Sequence, residues 1–236
     1  MSSRKIKQEV LALLASTDLD RICREVQIFA EKDLVNPLFS ALSRPEEIVR
    51  WHAISVFGQV VPRLADQDLE AARIVMRRFL WSLNDESGGI GWGAPEAMAE
   101  IMLHHERLAD EYLHMLISYL RPDGPLEHQD GNFLELPSLQ CGLLWGIGRL
   151  AEQRAATLTS RGVVADLLPY LQSADGSVRG LAVWSLGHLR AVAFRDALLQ
   201  LAADNSQVRL YQQGQIQLFS VAELVKNALL QITTPL

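Results

Sequence analysis

Basic residues are scarce in this chain, and so are cysteines, aromatic residues and long apolar runs. Lys and Arg number 22 against 28 Asp and Glu, a formal net charge of −6. That balance opposes the broad phosphate neutralisation on which nucleic-acid binders depend. Arg77-Arg78 and the amino-terminal Arg4, Lys5 and Lys7 are too few to build a basic face. The 2 cysteines, Cys23 and Cys141, are too distant in sequence for a metal pair and too few for a disulfide framework, so they read as small core hydrophobes. No run reaches the roughly 18–20 apolar residues of a membrane span. Near the start, Ile6, Val10, Leu13 and Leu14 follow helical spacing, which predicts an amphipathic helix rather than a signal peptide and a cytoplasmic protein. Also missing is any grouping of a nucleophile with a base and an orienting group.

What the chain does have is a recurring helical unit. Residues 176–190 read G-S-V-R-G-L-A-V-W-S-L-G-H-L-R, residues 47–60 E-I-V-R-W-H-A-I-S-V-F-G-Q-V, and residues 137–150 P-S-L-Q-C-G-L-L-W-G-I-G-R-L. Residues 89–102, G-I-G-W-G-A-P-E-A-M-A-E-I-M, fit the same register with deviations. Counting from Arg50, Trp92, Gln140 and Arg179, the third position on is Ala53, Pro95, Leu143 and Ala182. The seventh is Phe57, Ala99, Ile147 and Leu186, and the tenth Val60, Met102, Leu150 and Leu189. That spacing draws one helix face, the one facing the core. The eighth position is Gly58, Glu100, Gly148 and Gly187. Glycine inside a helix costs about 1 kcal/mol relative to alanine, so its recurrence predicts close approach of a neighbouring backbone.

Paired helices are predicted over 3–15 and 18–31, 34–43 and 46–62, 67–83 and 94–107, 109–120 and 137–155, and 161–173 and 176–191, with one more over 194–203. Pro45 suits the first turn of the helix over 46–62. Val208, Leu210, Ile216 and Leu218 then alternate with polar residues around Gln213-Gly214, which predicts a β-hairpin, and Ser220 with Glu223 forms a capping box for a last helix. The fold class is all-α: a right-handed α-solenoid of five or six HEAT-like helical hairpins with a small β-hairpin near the C-terminus. It is one domain over 1–236, with an atypical C-terminal unit at 204–236.

The stretch Asp175 to Leu189, D-G-S-V-R-G-L-A-V-W-S-L-G-H-L, resembles the HEAT-like repeat pattern D-x-x-V-R-x-x-A-x-x-x-L-G, including the phycobilisome-lyase type. Asn84 to Glu100 resembles a segment of an uncharacterised bacterial HEAT-like family. The resemblance implies a curved scaffold that binds other proteins. HEAT-like metal-dependent hydroxylases carry His-Glu pairs directly after the repeat arginine; here those places hold Trp51-His52 and Gly180-Leu181, and the one His-Glu pair, His105-Glu106, lies at a helix end.

The deviant copy holds the candidate site. Asn84-Asp85-Glu86-Ser87-Gly88-Gly89-Ile90-Gly91-Trp92-Gly93 is longer than an ordinary helix–helix connection, and its glycines permit close approach to a ligand. It lacks the G-K-[ST] of a phosphate-binding P-loop. Glu96 stands where the other copies put Ile54, Leu144 and Val183, and Glu100 stands where they put glycine. With His104 these project from one side of a helix and are candidate metal ligands. The alternative is that they form a solvated outer stripe. Trp92, between glycines, either covers a ligand or plugs the repeat junction. A second long connection, Arg121 to Leu136, adds His128, Asp130 and Glu135, and its Phe133, Leu134 and Leu136 predict that it packs down. Asp85, Glu86, Trp92, Glu96, Glu100, His128, Asp130 and Glu135 are therefore the candidates for an acidic pocket on one edge. Such a pocket suits a cation, a metal or a basic segment of a partner protein. No cofactor is required by the sequence. The expected function is a non-catalytic protein-interaction scaffold; the alternative is a metal- or small-molecule-binding enzyme or accessory protein using Glu96 and Glu100.

Overall fold

The computed structural model describes residues 2–84, 91–125 and 132–233. Twelve α-helices and one antiparallel hairpin form an all-α solenoid among these residues. None of the helices is long and apolar enough to cross a membrane. The chain divides into two compact units, Met1–Leu113 with Tyr211–Ile216, and His114–Leu210 with Gln217–Leu236.

The first unit begins with α1 (Ser3–Leu14), α2 (Leu19–Glu25), α3 (Glu31–Leu42) and α4 (Glu47–Gln67). It continues with α5 (Leu69–Leu83), α6 (Ala94–His104) and the start of α7 (Glu106–Ser118). Ser2 and Asp18 cap α1 and α2 by accepting from the backbone N–H groups of Lys5 and Arg21. Pro45 lies outside α4, which starts at Glu47 and runs past the expected end to Gln67. Helix α4 is central, packing on α3, α5 and α6. Phe39, Phe57 and Phe79 join α3, α4 and α5 in an aromatic cluster with ring centroids 4.6–5.1 Å apart. Buried His52 donates from Nδ1 to the Leu14 carbonyl at 2.8 Å, a structural histidine. The Trp51 ring stacks on Tyr211 of the hairpin tip at 4.7 Å.

In the second unit α8 (Pro137–Ser160), α10 (Gly176–His188) and α12 (Val221–Thr233) pack in sequence, with α10 in the middle. The helix expected over 161–173 is instead α9 (Val163–Asp166) followed by a 3-10 turn, Pro169–Gln172. Pro169 has no N–H to continue an α-helix, which explains the break. The expected helix over 194–203 shrinks to a 3-10 turn, Val192–Phe194, and α11 (Arg195–Leu199). The hairpin forms as expected, with β1 at Gln207–Gln212 and β2 at Gln215–Ser220. Gln213 and Gly214 both take positive φ, 50° and 79°, as a two-residue turn of the primed type requires. Ser220 and Glu223 make the reciprocal capping box at the head of α12. Cys23 and Cys141 are half-buried and outside any disulfide, rather than core residues.

The repeat register survives in three dimensions. Ala53, Phe57 and Val60, and likewise Leu143, Ile147 and Leu150, are fully buried. The polar repeat position also has one job in three copies. Arg50 donates to the carbonyls of Arg44 and Pro45, Arg179 to those of Ser173 and Ala174, and Gln140 to that of Leu134. Each ties down the turn that precedes its own helix. Arg179 also pairs with Asp204 at 2.7 Å, whereas Asp175, four residues earlier, caps α10 instead.

The recurring glycines sit where the next helix touches. A Cβ on Gly148 would lie 2.3 Å from the Trp184 ring, and one on Gly187 would lie 2.9 Å from the Ala228 backbone. At Gly58 the contact is Glu100, whose own Cβ would be 3.0 Å away. Gly148→Ala should therefore destabilise the protein by about 1–3 kcal/mol, although alanine is the better helix former. Thermal and urea unfolding measure this. A stabilised Gly148→Ala variant would show that α8 and α10 can separate without cost.

Candidate functional site

Helix α5 ends at Leu83 with Asn84 as its cap, and the described residues resume at Gly91. Gly91 is pressed against the end of α5: a Cβ there would lie 2.8 Å from the Ser82 carbonyl oxygen. Gly93 then takes φ 77° as N-cap of α6. A Cβ at Gly93 would lie 2.9 Å from the Leu42 side chain, so both conformation and space require glycine. Ala94 and Pro95 open α6 and are buried, which places Glu96 in the first turn.

Glu96 inherits an apolar site. Its counterparts Ile54, Leu144 and Val183 are core residues. Glu96 is half-buried overall, but its Oε2 is fully buried without a hydrogen-bond partner. Burial pushes its carboxyl up to about 7, against the smaller opposing pull of its own backbone N–H and of the Arg50 charge. Glu100 is buried as well, its side chain against Gly58 and its Oε2 3.5 Å from His104 Nε2. His104 itself is largely exposed. Among the described residues no group of three or more His, Cys, Asp or Glu side chains is placed to hold a metal. Glu96, Glu100 and His104 thus share a helix without converging as one ligand set.

Half of Trp92 remains exposed, 51%, so it does not seal the junction as a buried plug would. Asp85, Glu86, His128 and Asp130 lie outside the described residues. Glu135 is exposed and belongs to the second unit, whereas Trp92, Glu96 and Glu100 belong to the first. In the second connection Leu134 packs down, its N–H donating to Tyr119, but Leu136 is exposed, contrary to expectation. Phe133 and Tyr170 line a cavity of about 210 Å³ there with Pro122 and Pro169. His105, of the His-Glu pair, caps α7 by accepting from Leu108 N–H at 3.2 Å.

Sequence reasoning missed the most exposed large apolar side chain of the first unit. Trp81, near the end of α5, is 83% exposed and lines a cavity of about 610 Å³ with Arg78, Ser82 and Asn84. The signal was present: α5 buries Ala72, Val75, Met76 and Phe79, and Trp81 falls off that stripe, seven residues from exposed Ile74.

The raised carboxyl of Glu96 carries a definite sign. Its neutral form is the one the fold accepts, so its contribution to stability is complete below 4.5 and is lost as pH rises through about 7. Glu96→Gln should leave stability unchanged near pH 4 and raise it by up to about 3 kcal/mol near pH 8. Urea midpoints at both pH values check this. Equal effects at the two would mean that the carboxylate is solvated or paired.

No family model matches the chain. An uncharacterized protein of Archaeoglobus fulgidus is 30% identical over 115 residues, 49% of this chain and 52% of that protein. The chain thus spans about half the length of this curated relative. Among solved structures, an engineered protein aligns over 96% of this chain and 90% of its own with TM-score 0.59 and 13% identity. A second engineered protein aligns over 98% and 97% with TM-score 0.52 and 15% identity. A designed armadillo repeat protein in complex with the peptide (KR)4 aligns over 95% and 98%, at TM-score 0.49 and 18% identity. The two engineered structures match the fold over nearly the whole chain, and with the buried repeat register they mark a helical repeat solenoid.

Proposed function

We propose that the chain is a non-catalytic protein-interaction scaffold, one HEAT-like repeat domain over 1–236 with an atypical C-terminal unit at 204–236. The repeat resemblance at Asp175 to Leu189, including its phycobilisome-lyase type, supports the class of repeat. One observation carries the interaction reading: Trp81 is 83% exposed and lines a cavity, on a helix that buries its other aromatic residue, Phe79. A tryptophan is a costly residue to leave in water and a frequent anchor of protein interfaces. Repeat stacks offer long continuous surfaces on which such anchors recognise peptide segments.

Selection from a displayed random-peptide library tests the reading, with the whole chain and its Trp81→Ala variant as baits. Peptides enriched by the chain are expected to lose binding to the variant. Failure to enrich any peptide over an unrelated helical-repeat bait, or enrichment indifferent to Trp81, would overturn it.

A second reading, a metal- or small-molecule-binding accessory protein or enzyme, is favoured by the orphan Oε2 of Glu96, because a buried acceptor without a donor suits a ligand that supplies one. Native mass spectrometry of the purified chain, metal-replete and after chelation, distinguishes the two. A bound mass lost in Glu96→Gln supports the ligand reading, and identical spectra reject it.

A further inference from the structure

Three arginines lie along α5, and they are not alike. Arg73 pairs with Glu111, with Nε 2.7 Å from Oε2. Arg77 pairs with Glu70. Arg78, which lines the cavity beside Trp81, has only neutral partners among the described residues. Its Nη1 donates to Asn36 Oδ1 at 2.9 Å, and its guanidinium carbon lies 3.7 Å from the centroid of the Phe39 ring. One edge of the guanidinium is thus fixed and one face is covered, while the cation itself remains uncompensated there. Partial burial draws its pKa down, the expected effect of desolvation without a nearby carboxylate.

A guanidinium held over an aromatic ring and anchored at one nitrogen is preorganised for a planar, doubly accepting anion. The adjoining wall of the cavity is the exposed indole of Trp81. At the same edge the Ser82 hydroxyl donates to the Phe79 carbonyl at 2.7 Å, which leaves its oxygen as an acceptor. The occupant that fits carries a carboxylate and an apolar side chain next to each other. A cavity of about 610 Å³ holds a few residues of a peptide. The chain's net charge of −6 repels acidic molecules at long range, so selection for them rests on this local cation.

We propose that the Arg78–Trp81 cavity at the end of α5 binds an acidic peptide segment of a partner protein, with a carboxylate on Arg78 and an adjacent apolar side chain on Trp81. This rests on the scaffold reading and names the chemistry of the partner.

Fluorescence anisotropy with labelled synthetic peptides tests it on the whole chain. One peptide has a leucine flanked by glutamates, a second has the glutamates replaced by lysines, and a third has the leucine replaced by serine. A single-stranded oligothymidylate serves as an anionic probe of different class. The first peptide should bind more tightly than the other probes, by about tenfold or more, and more weakly as salt is raised. Trp81→Ala should weaken it by about tenfold while leaving far-UV circular dichroism and the thermal midpoint unchanged, since that side chain is exposed. Arg78→Glu should invert the preference towards the lysine peptide, a gain that misfolding cannot produce. Equal or tighter binding of the lysine peptide or oligothymidylate by the unaltered chain would overturn the proposal. So would binding of the first peptide indifferent to both substitutions, or no binding at all. Library peptides that need Trp81 but lack acidic residues would overturn it and leave the scaffold reading standing.

Discussion

Contact between successive repeat helices at a single glycine position governs the packing within each unit. Every such glycine weakens its own helix by about 1 kcal/mol relative to alanine. The loss is offset because the next helix comes within van der Waals reach along its length, and apolar side chains on both become fully buried. Gly148 accepts the ring of Trp184, and Gly187 accepts the backbone of α12 at Ala228. A side chain at either position would hold the helices apart and open gaps beside Ile147 or Leu186, both now fully buried. The recurring polar position works with this contact: Arg50, Gln140 and Arg179 each bind carbonyls of the turn before their own helix, which fixes where the helix begins.

Helix α6 departs from that scheme twice, and both departures introduce a carboxyl group. Glu100 replaces the glycine, and its side chain is the group that packs against Gly58 of α4. Glu96 replaces a core aliphatic residue and takes a carboxyl group into surroundings built for a methyl. The two are not equivalent. Glu100 has His104 at 3.5 Å, whereas Oε2 of Glu96 has no hydrogen-bond partner and its carboxyl is held near 7. Strain of this kind is tolerated in folded proteins mainly where a local rule is traded for a role in binding or switching.

Helix α5 makes the complementary departure. Its buried stripe is regular, yet it presents a tryptophan outside that stripe and an arginine that lies over the Phe39 ring instead of pairing with an acid. Loose arginines on a surface lose side-chain entropy when they bind a partner. Asn36 and Phe39 have already restrained Arg78 in the folded chain. The aromatic cluster that packs α3 and α5 on α4 is therefore also what positions the cation, so core packing and surface chemistry meet at Phe39.

The long repeat helices, the buried register, the hairpin around Gly214 and the capping box of Ser220 with Glu223 were legible in the sequence, whereas the helices expected over 18–31, 161–173 and 194–203 are shorter than the pattern implied. Each rests on a periodicity or a turn preference set by residues a few positions apart. The break at Pro169 was legible in principle, since proline ends a hydrogen-bond ladder wherever it falls, but an apolar pattern ran across it. Local pattern also marked Glu96 and Glu100 as residues out of place. Whether Glu96 would be desolvated, and whether its oxygen would find a donor, depended on what α4 and the preceding repeat put around it. The same holds for Arg78, whose partners Asn36 and Phe39 lie about forty residues away in the chain on another helix. Period and propensity act along the backbone and can be read from it; dielectric surroundings, ion pairing and exposure are set by neighbours that only the folded chain brings together.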